Sequence, residues 1–500
     1  MEIIIEKSDI IETKTGKVQG YRKDHLSIFK GIPFAEPPLG NLRFSPPLKK
    51  KKWEGVLNAM DYGPSAFQGH SEMAQYIGKL EPESEDCLTL NIWTTGTDKK
   101  KRPVMFWIHG GAFMTGGGAE PTYDGSALAL RGDIVIVTIN YRLGSFGFLH
   151  NENISLNVGF QDQLMALQWV YENIVHFGGD PENITIFGES AGGYSVLALC
   201  TVPQAEGLFH RVIAQSAPYI DTTVSDRISK NIFHKLQIKP GDIDSLREIP
   251  PESIIEAQNQ VASTVPTEVM ALRPLINPET FPKHPLKAFL NGECANIDFM
   301  IGTNLDEFKL YTAMEPFKSM VGGDIEKMII GFLALQGIKK GEEIIKTYKE
   351  ARAGKYSAES VDVITAVIND FAFRIPMTRL LEAQRPHQPN TFNYLFTWPS
   401  PGLDGILGSC HSLEIPFVFG NLSSPNLKEF LKGAPEELSE KMMDAWINFA
   451  KTGNPNHKNL PNWPAYDSEA RTTMVFGETC KVEEALFDKE RAAWDGLLEI

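Results

Sequence analysis

Gly188-Glu189-Ser190-Ala191-Gly192 sets a serine between two glycines at a spacing suited to nucleophilic attack on a carbonyl carbon. Chance alone supplies such a pentapeptide in roughly one chain in five of this length and composition, so its surroundings decide. Ile184 to Phe187 ahead of it is a short apolar, strand-like run, and Ser190 to Leu199 behind it reads as a helix. Strand, sharp turn and helix would project Ser190 Oγ above the C-terminal edge of a sheet. A helix N-terminus there stabilises negative charge. Acyl transfer also needs backbone N–H groups aimed at the carbonyl oxygen as it becomes an anion. Ala191 supplies one by its position after the serine. His109-Gly110-Gly111-Ala112-Phe113, following the apolar run Val104 to Ile108, is the second source, with Gly111 and Ala112 as donors. Gly110 lets the backbone approach closely. His109, beside that loop, is expected to orient it and not to act as a base.

These residues need a scaffold, and the chain repeats one pattern: an apolar β-branched run, a polar or glycine-rich turn, then a helical stretch. Val104 to Ile108, Ile134 to Ile139, Ile184 to Phe187, Val212 to Ala214, Phe299 to Ile301 and Phe392 to Phe396 form the strand series, with helices such as Asp162 to Glu172 between. The pattern predicts an α/β fold with a mostly parallel twisted sheet and helices on both faces. Thr13 to Val18 reads as a hairpin, and the Pro-rich Gly31 to Pro47 as an irregular wrap. Asp226 to Leu290 and Gly322 to Gln388 are helix-rich and more polar, with no Gly/Ser/Pro linker setting them apart. They are expected to be insertions on the same domain, forming the wall of the substrate pocket. The 500 residues are therefore expected to make one oversized domain.

Composition narrows the partners. The formal net charge is −15, which disfavours a phosphate backbone as a ligand, so no nucleic-acid partner is expected. The basic runs Lys49 to Lys52 and Lys99 to Arg102 are expected to be solvated loops. Ile134 to Ile139, the longest β-rich apolar run, is far short of a membrane span, and Met1 to Glu6 has no signal-peptide character. The five cysteines (Cys87, Cys200, Cys294, Cys410 and Cys480) never fall in C-x-x-C spacing, and reduced thiols in a cytoplasm are expected. On that reading the sequons at Asn153, Asn183 and Asn421 are chance matches. No H-E-x-x-H, Cys/His cluster or strand-linked G-x-G-x-x-G is present, so neither metal nor organic cofactor is expected.

Taken together the landmarks resemble the type-B carboxylesterase/cholinesterase family of α/β-hydrolases, especially its bacterial para-nitrobenzyl-esterase-like members. The matching segments run nearly end to end: Phe29 to Ala35, Glu85-Asp86-Cys87-Leu88, Trp107 to Gly111, Asn140-Tyr141-Arg142, Phe177 to Pro181, Phe187 to Gly192 and Gln215-Ser216. The resemblance implies a serine carboxylesterase acting on short to medium acyl or aryl esters with water, expected to be a monomer. It assigns the acid to Glu307, in Gly302-Thr303-Asn304-Leu305-Asp306-Glu307, and the base to His411, in Cys410 to Phe417. Residue types alone do not separate Glu307 from Asp306. By the same resemblance Glu189, Ser216 and Glu414 support His411 and bound water, while Arg43 with Glu85 and Arg142 with Asp162 are structural ion pairs. Departures from the family pattern are informative. Ala66 stands where many members carry a cysteine, leaving Cys87 unpaired. Phe308 replaces a glycine after the acid turn, and Ala112 a third glycine. Ser65 to Glu85 has no tryptophan, the residue on which cholinesterases seat choline, so choline esters are disfavoured. The rival readings are a lipase-like hydrolase of longer esters and a non-catalytic adhesion-type relative.

Overall fold

A computed structural model describes residues 6–68, 82–151, 153–220, 222, 226–264, 272–312, 325–354, 356–357 and 359–498. The N-terminal pentapeptide, most of the tryptophan-free stretch and parts of both helix-rich segments lie outside the described residues.

The strands are β1 (Glu6–Glu12), β2 (Lys17–Lys23), β3 (Leu26–Pro33), β4 (Val56–Asn58), β5 (Thr89–Thr94), β6 (Arg102–Ile108), β7 (Val135–Ile139), β8 (Gly179–Glu189), β9 (Arg211–Gln215), β10 (Asp298–Asn304), β11 (Thr391–Phe396), β12 (Thr473–Phe476) and β13 (Lys481–Glu483). They form a 13-stranded sheet in the order β1-β2-β3-β5-β7-β6-β8-β9-β10-β11-β12-β13, with β4 on β2. From β7 to β12 every pairing is parallel, whereas β1 to β5 and β13 add antiparallel edges. The hairpin expected at Thr13 to Val18 is the β1–β2 connection.

The parallel strands are buried on both faces, so their sequences are apolar without alternating with polar residues. In β6, Val104, Phe106 and Ile108 enter one core cluster while Met105 and Trp107 enter the other. Helices cover both sides. Helix α1 (Val158–Asn173) packs with the first cluster, as does α2 (Ala191–Leu199), all of whose residues are buried. Helix α4 (Glu436–Thr452) lies on the second, where Trp446 Nε1 donates to Gln215 Oε1 at 3.0 Å. A third cluster joins Ile325–Leu335, Gly341–Arg352 and Ser360–Asn369. Ser360–Asn369 passes through a single π-helical turn, Asp370–Arg374, into α3 (Ile375–Gln384).

Arg102 corrects one expectation. It is the first residue of β6 and only 5% exposed. Its guanidinium bonds Asp98 (2.6 Å) and Asp133 (2.7 Å), so it tethers two loops to the strand and is no solvated loop residue. Both ion pairs read as architecture are formed. Arg142 grips Asp162 at 2.7 and 2.8 Å with both side chains essentially out of water, and Arg43 Nε donates to Glu85 at 2.7 Å. Removing either partner of such a buried pair strands a charge. Cys87 is buried and unpaired, sharing a recess with Ala66. No described helix is long and apolar enough to cross a membrane.

Candidate active site

Ser190 sits between β8 and α2 at φ 55°, ψ −123°, a backbone state that side chains rarely adopt and that the surroundings must enforce. The enforcement is close packing. A Cβ on Gly192 would lie 2.0 Å from Ile108 O, and one on Gly110 would lie 2.8 Å from Glu189 O and Oε2. Only glycines let the β6 loop and the β8 elbow come together. Ser190 N is spent on Gln215 O (2.9 Å). Ala191 opens α2, so its N–H has no intrahelical acceptor. The N–H groups of Gly111 and Ala112 likewise donate to no described residue. Ala112 holds φ 55° where glycine would be unstrained, yet keeps its N–H available. His109 behaves as expected. Its ring stacks on Tyr141 at 4.4 Å and Nδ1 donates to Gly110 O at 2.9 Å. Burial pushes its pKa down to about 4, so it stays neutral.

His411 and Glu307 meet directly: His411 Nδ1 lies 2.6 Å from Glu307 Oε2, and Glu307 is 1% exposed. Asp306, the neighbouring carboxylate, turns away. It accepts from Ser409 N (2.9 Å) and pairs with Lys309 (3.0 Å), docking the histidine loop onto the acid turn. Phe308 does not displace Glu307. Its N–H donates to Asn369 Oδ1 at 2.7 Å and its ring packs on Tyr311. Among the described residues His411 Nε2 makes no hydrogen bond, to Ser190 or any other group, and its ionic neighbour is Glu189 Oε1 at 3.1 Å. Burial opposes charging His411, but Glu189 and Glu307 outweigh it and lift its pKa to about 9. Burial in turn raises Glu189, so the two groups compete for one proton.

The supporting residues divide. Glu189 Oε1 accepts from Ser412 Oγ at 2.7 Å. Glu414 does not hydrogen-bond His411; it accepts from Asn304 Nδ2 (2.6 Å) and Gln215 Nε2 (3.0 Å). Ser216 corrects an expectation, because its buried Oγ has no described partner. Asn304 was missed by motif reading and is the hub. Its N–H donates to Glu307 Oε1 at 2.7 Å and its amide to Cys410 O at 2.8 Å, fixing acid turn and histidine loop together. The signal was its place at the end of β10, two residues before the carboxylates. Phe373, on the π turn, packs its ring 4.9 Å from His411.

Ser190, Glu189, Gly110, Gly111, Ala112 and His411 all open into one cavity of about 280 Å³. Met114, Leu310, Tyr311, Leu413, Ile415 and Phe430 give it apolar walls, and Glu120 with Tyr123 adds a polar corner absent from the motif reading. Burial raises Glu120 to about 7. The described walls thus come from loops around the sheet edge. From the two helix-rich segments, the contributions resolved are Phe373 on the His411 ring and Asn369 on the acid turn.

A mostly parallel sheet with a strand–serine–helix elbow at its C-terminal edge defines an α/β-hydrolase. The model of the carboxylesterase family matches residues 7–494. Para-nitrobenzyl esterase of Bacillus subtilis (strain 168) is 37% identical over 485 residues, covering 95% of this chain and 96% of its own. Phenmedipham hydrolase of Pseudarthrobacter oxydans is 35% identical over 482 residues, covering 94% and 95%. The solved structure of a thermophilic PNB esterase superposes with a TM-score of 0.86 at 35% identity, covering 97% of this chain and 99% of that one. The chain belongs to the carboxylesterase family and is a carboxylic-ester hydrolase.

Proposed function

We propose that the protein is a serine carboxylesterase of short to medium acyl or aryl esters in which Ser190 is the nucleophile, His411 the general base and Glu307 the orienting acid. The observation that carries this reading is the His411–Glu307 contact at 2.6 Å behind a cavity that holds Ser190 and the ring of His411. When an ester enters, Ser190 Oγ attacks the carbonyl carbon and its proton passes to His411 Nε2. The hydrogen bond between them forms in the substrate complex, as catalytic hydrogen bonds that are loose in free enzymes commonly do. The unspent N–H groups of Gly111, Ala112 and Ala191 receive the oxyanion. The tetrahedral intermediate collapses, the alcohol leaves with the His411 proton, and an acyl-Ser190 ester remains. Water, deprotonated by His411, then attacks that ester and releases the acid.

The cavity volume of about 280 Å³ sits at the small end of ligand sites, about 300–1,000 Å³. Its apolar walls favour compact acyl or aryl groups over the chains a lipase accepts. Five unpaired cysteines support a reducing, cytoplasmic setting. On a p-nitrophenyl series from acetate to laurate, kcat/KM is expected to peak at butyrate or hexanoate, and a fluorophosphonate probe to label Ser190 in peptide mapping. A maximum at laurate would favour the lipase reading. Labelling at any other residue would remove the nucleophile assignment.

The Glu189–His411 neighbourhood sets a pH signature. Neutral His411 is the active base, so kcat/KM rises as pH increases through its pKa, which negative neighbours raise. Glu189→Gln removes one of those charges. The acid limb is then expected to move to lower pH by about 1 to 3 units, the range for losing an opposite charge at this separation. A limb that stays in place would show that Glu189 carries no charge when His411 titrates.

A further inference from the structure

We infer that a recess between α3, β11 and the C-terminal segment, lined by Arg374, Arg471, Arg491 and Tyr466, binds a small oxyanion, either a carboxylate or a phosphate. It lies away from the ester cavity; the two share no lining residue. Its volume is about 40 Å³, enough for the head of one such group with a water. Arg374 and Arg471 reach its mouth, with side chains 18% and 26% exposed.

The argument is one of unmatched donors. Arg374 spends Nε (2.6 Å) and Nη2 on Asp370, leaving Nη1 without a described acceptor. Arg471 Nε is buried with no hydrogen bond; Glu382 is 3.8 Å away, beyond bonding distance. Tyr466 is 1% exposed, and its hydroxyl, which has no described partner, feels the charges of Arg471 and Arg491. Arg491 is held by Asp488 and Asp495, each at 2.8 Å. Those carboxylates, with Asp370 and Glu382, hold the guanidinium groups from outside. None of them lines the recess, and no carboxylate does among the described residues. A cavity walled by guanidinium groups and a buried phenol O–H, without an anion of its own, is complementary to oxygen acceptors. Buried donors without acceptors are costly, and charge-assisted bonds to a planar or tetrahedral oxyanion are the strong way to satisfy them.

The recess also has a route to the chemistry. Arg374 and Phe487 line both it and an adjoining recess that touches Asn304, Glu307 and Asn369. Asn369 clamps the acid turn through Phe308 N (2.7 Å) and Leu305 O (3.0 Å), and Asp370 beside it is the Arg374 partner. Ester hydrolysis releases a carboxylate, so one candidate occupant is made by the enzyme itself; inorganic phosphate is the other.

The test is isothermal titration calorimetry of the full chain, its Ser190 blocked by a fluorophosphonate, with sodium phosphate and separately with sodium acetate at constant ionic strength. Saturable one-site binding by either anion is expected. Acetate alone identifies a carboxylate site, phosphate alone a tetrahedral one. Tyr466→Phe, which removes only the hydroxyl, is expected to weaken binding by at least about tenfold, the scale for one hydrogen bond to a charged group. Arg471→Gln should weaken it as much or more, and Arg22→Gln, on the exposed β2 edge, should leave it unchanged. Absence of saturable binding by both anions overturns the inference. So does equal binding by wild type, Tyr466→Phe and Arg471→Gln.

Discussion

Ser190→Ala is expected to lower kcat on p-nitrophenyl butyrate by about 10⁴- to 10⁶-fold, the range seen when a serine hydrolase loses its nucleophile. The residual rate should come from the amides of Gly111, Ala112 and Ala191, which the substitution leaves in place. Circular dichroism and the melting temperature should hardly change. Alanine keeps the Cβ and therefore the same unusual backbone state at φ 55°, and Gly192 and Gly110 still permit the close approach of strand and elbow. A variant with more than about a hundredth of wild-type kcat would mean that attack comes from another group, given how much a nucleophile contributes.

The second large effect separates two adjacent carboxylates. Glu307→Gln should cost about 10⁴ in kcat, because an amide at this position no longer fixes the tautomer of His411 or stabilises its protonated form. Its geometry is otherwise preserved, since Asn304 N can still donate to the remaining carbonyl oxygen. Asp306→Asn should keep kcat within about tenfold, since Asp306 acts only on loop docking and the lost bond is of ordinary strength. It should instead lower the melting temperature, because Ser409 N and Lys309 lose an anionic partner. The reverse pattern, with Asp306→Asn inactive and Glu307→Gln active, would move the acid by one residue. Steady-state kinetics with both variants decides it.

What the sequence carried was what short-range physics writes into it. The strand runs Val104 to Ile108 and Ile184 to Phe187 are apolar because parallel strands bury both faces, and the Ser190 elbow announces itself through the glycines its packing requires. Contacts made across the fold were harder to read. Asp306 and Glu307 are chemically alike, and only the path of the chain beyond β10 turns one toward His411 and the other toward Ser409. Asn304 resembles any turn asparagine until residues 304, 307, 410 and 414 meet. Arg102 looked solvated because it closes a run of lysines. Its burial follows from Asp98 and Asp133, the second of which lies 31 residues away. Ser216 matched a motif position, yet its hydroxyl reaches no partner. Glu120 and Tyr123 gave no periodic signal, since they sit on an irregular loop that is defined only by the cavity it borders.

The π turn at Asp370–Arg374 places Phe373 against the His411 ring and, one residue on, Arg374 at the head of a separate recess. A π turn carries one residue more than the α-helical turn it replaces. Removing any one residue between 370 and 374 would restore a regular helix and rotate everything after it by about 100°. The histidine would lose its aromatic backing and α3 would present a different face to β11. Amino-acid identity along this stretch can drift wherever the side chains still fit. Its length is held by a stricter rule, and an insertion or deletion here would be selected against even where every substitution is tolerated.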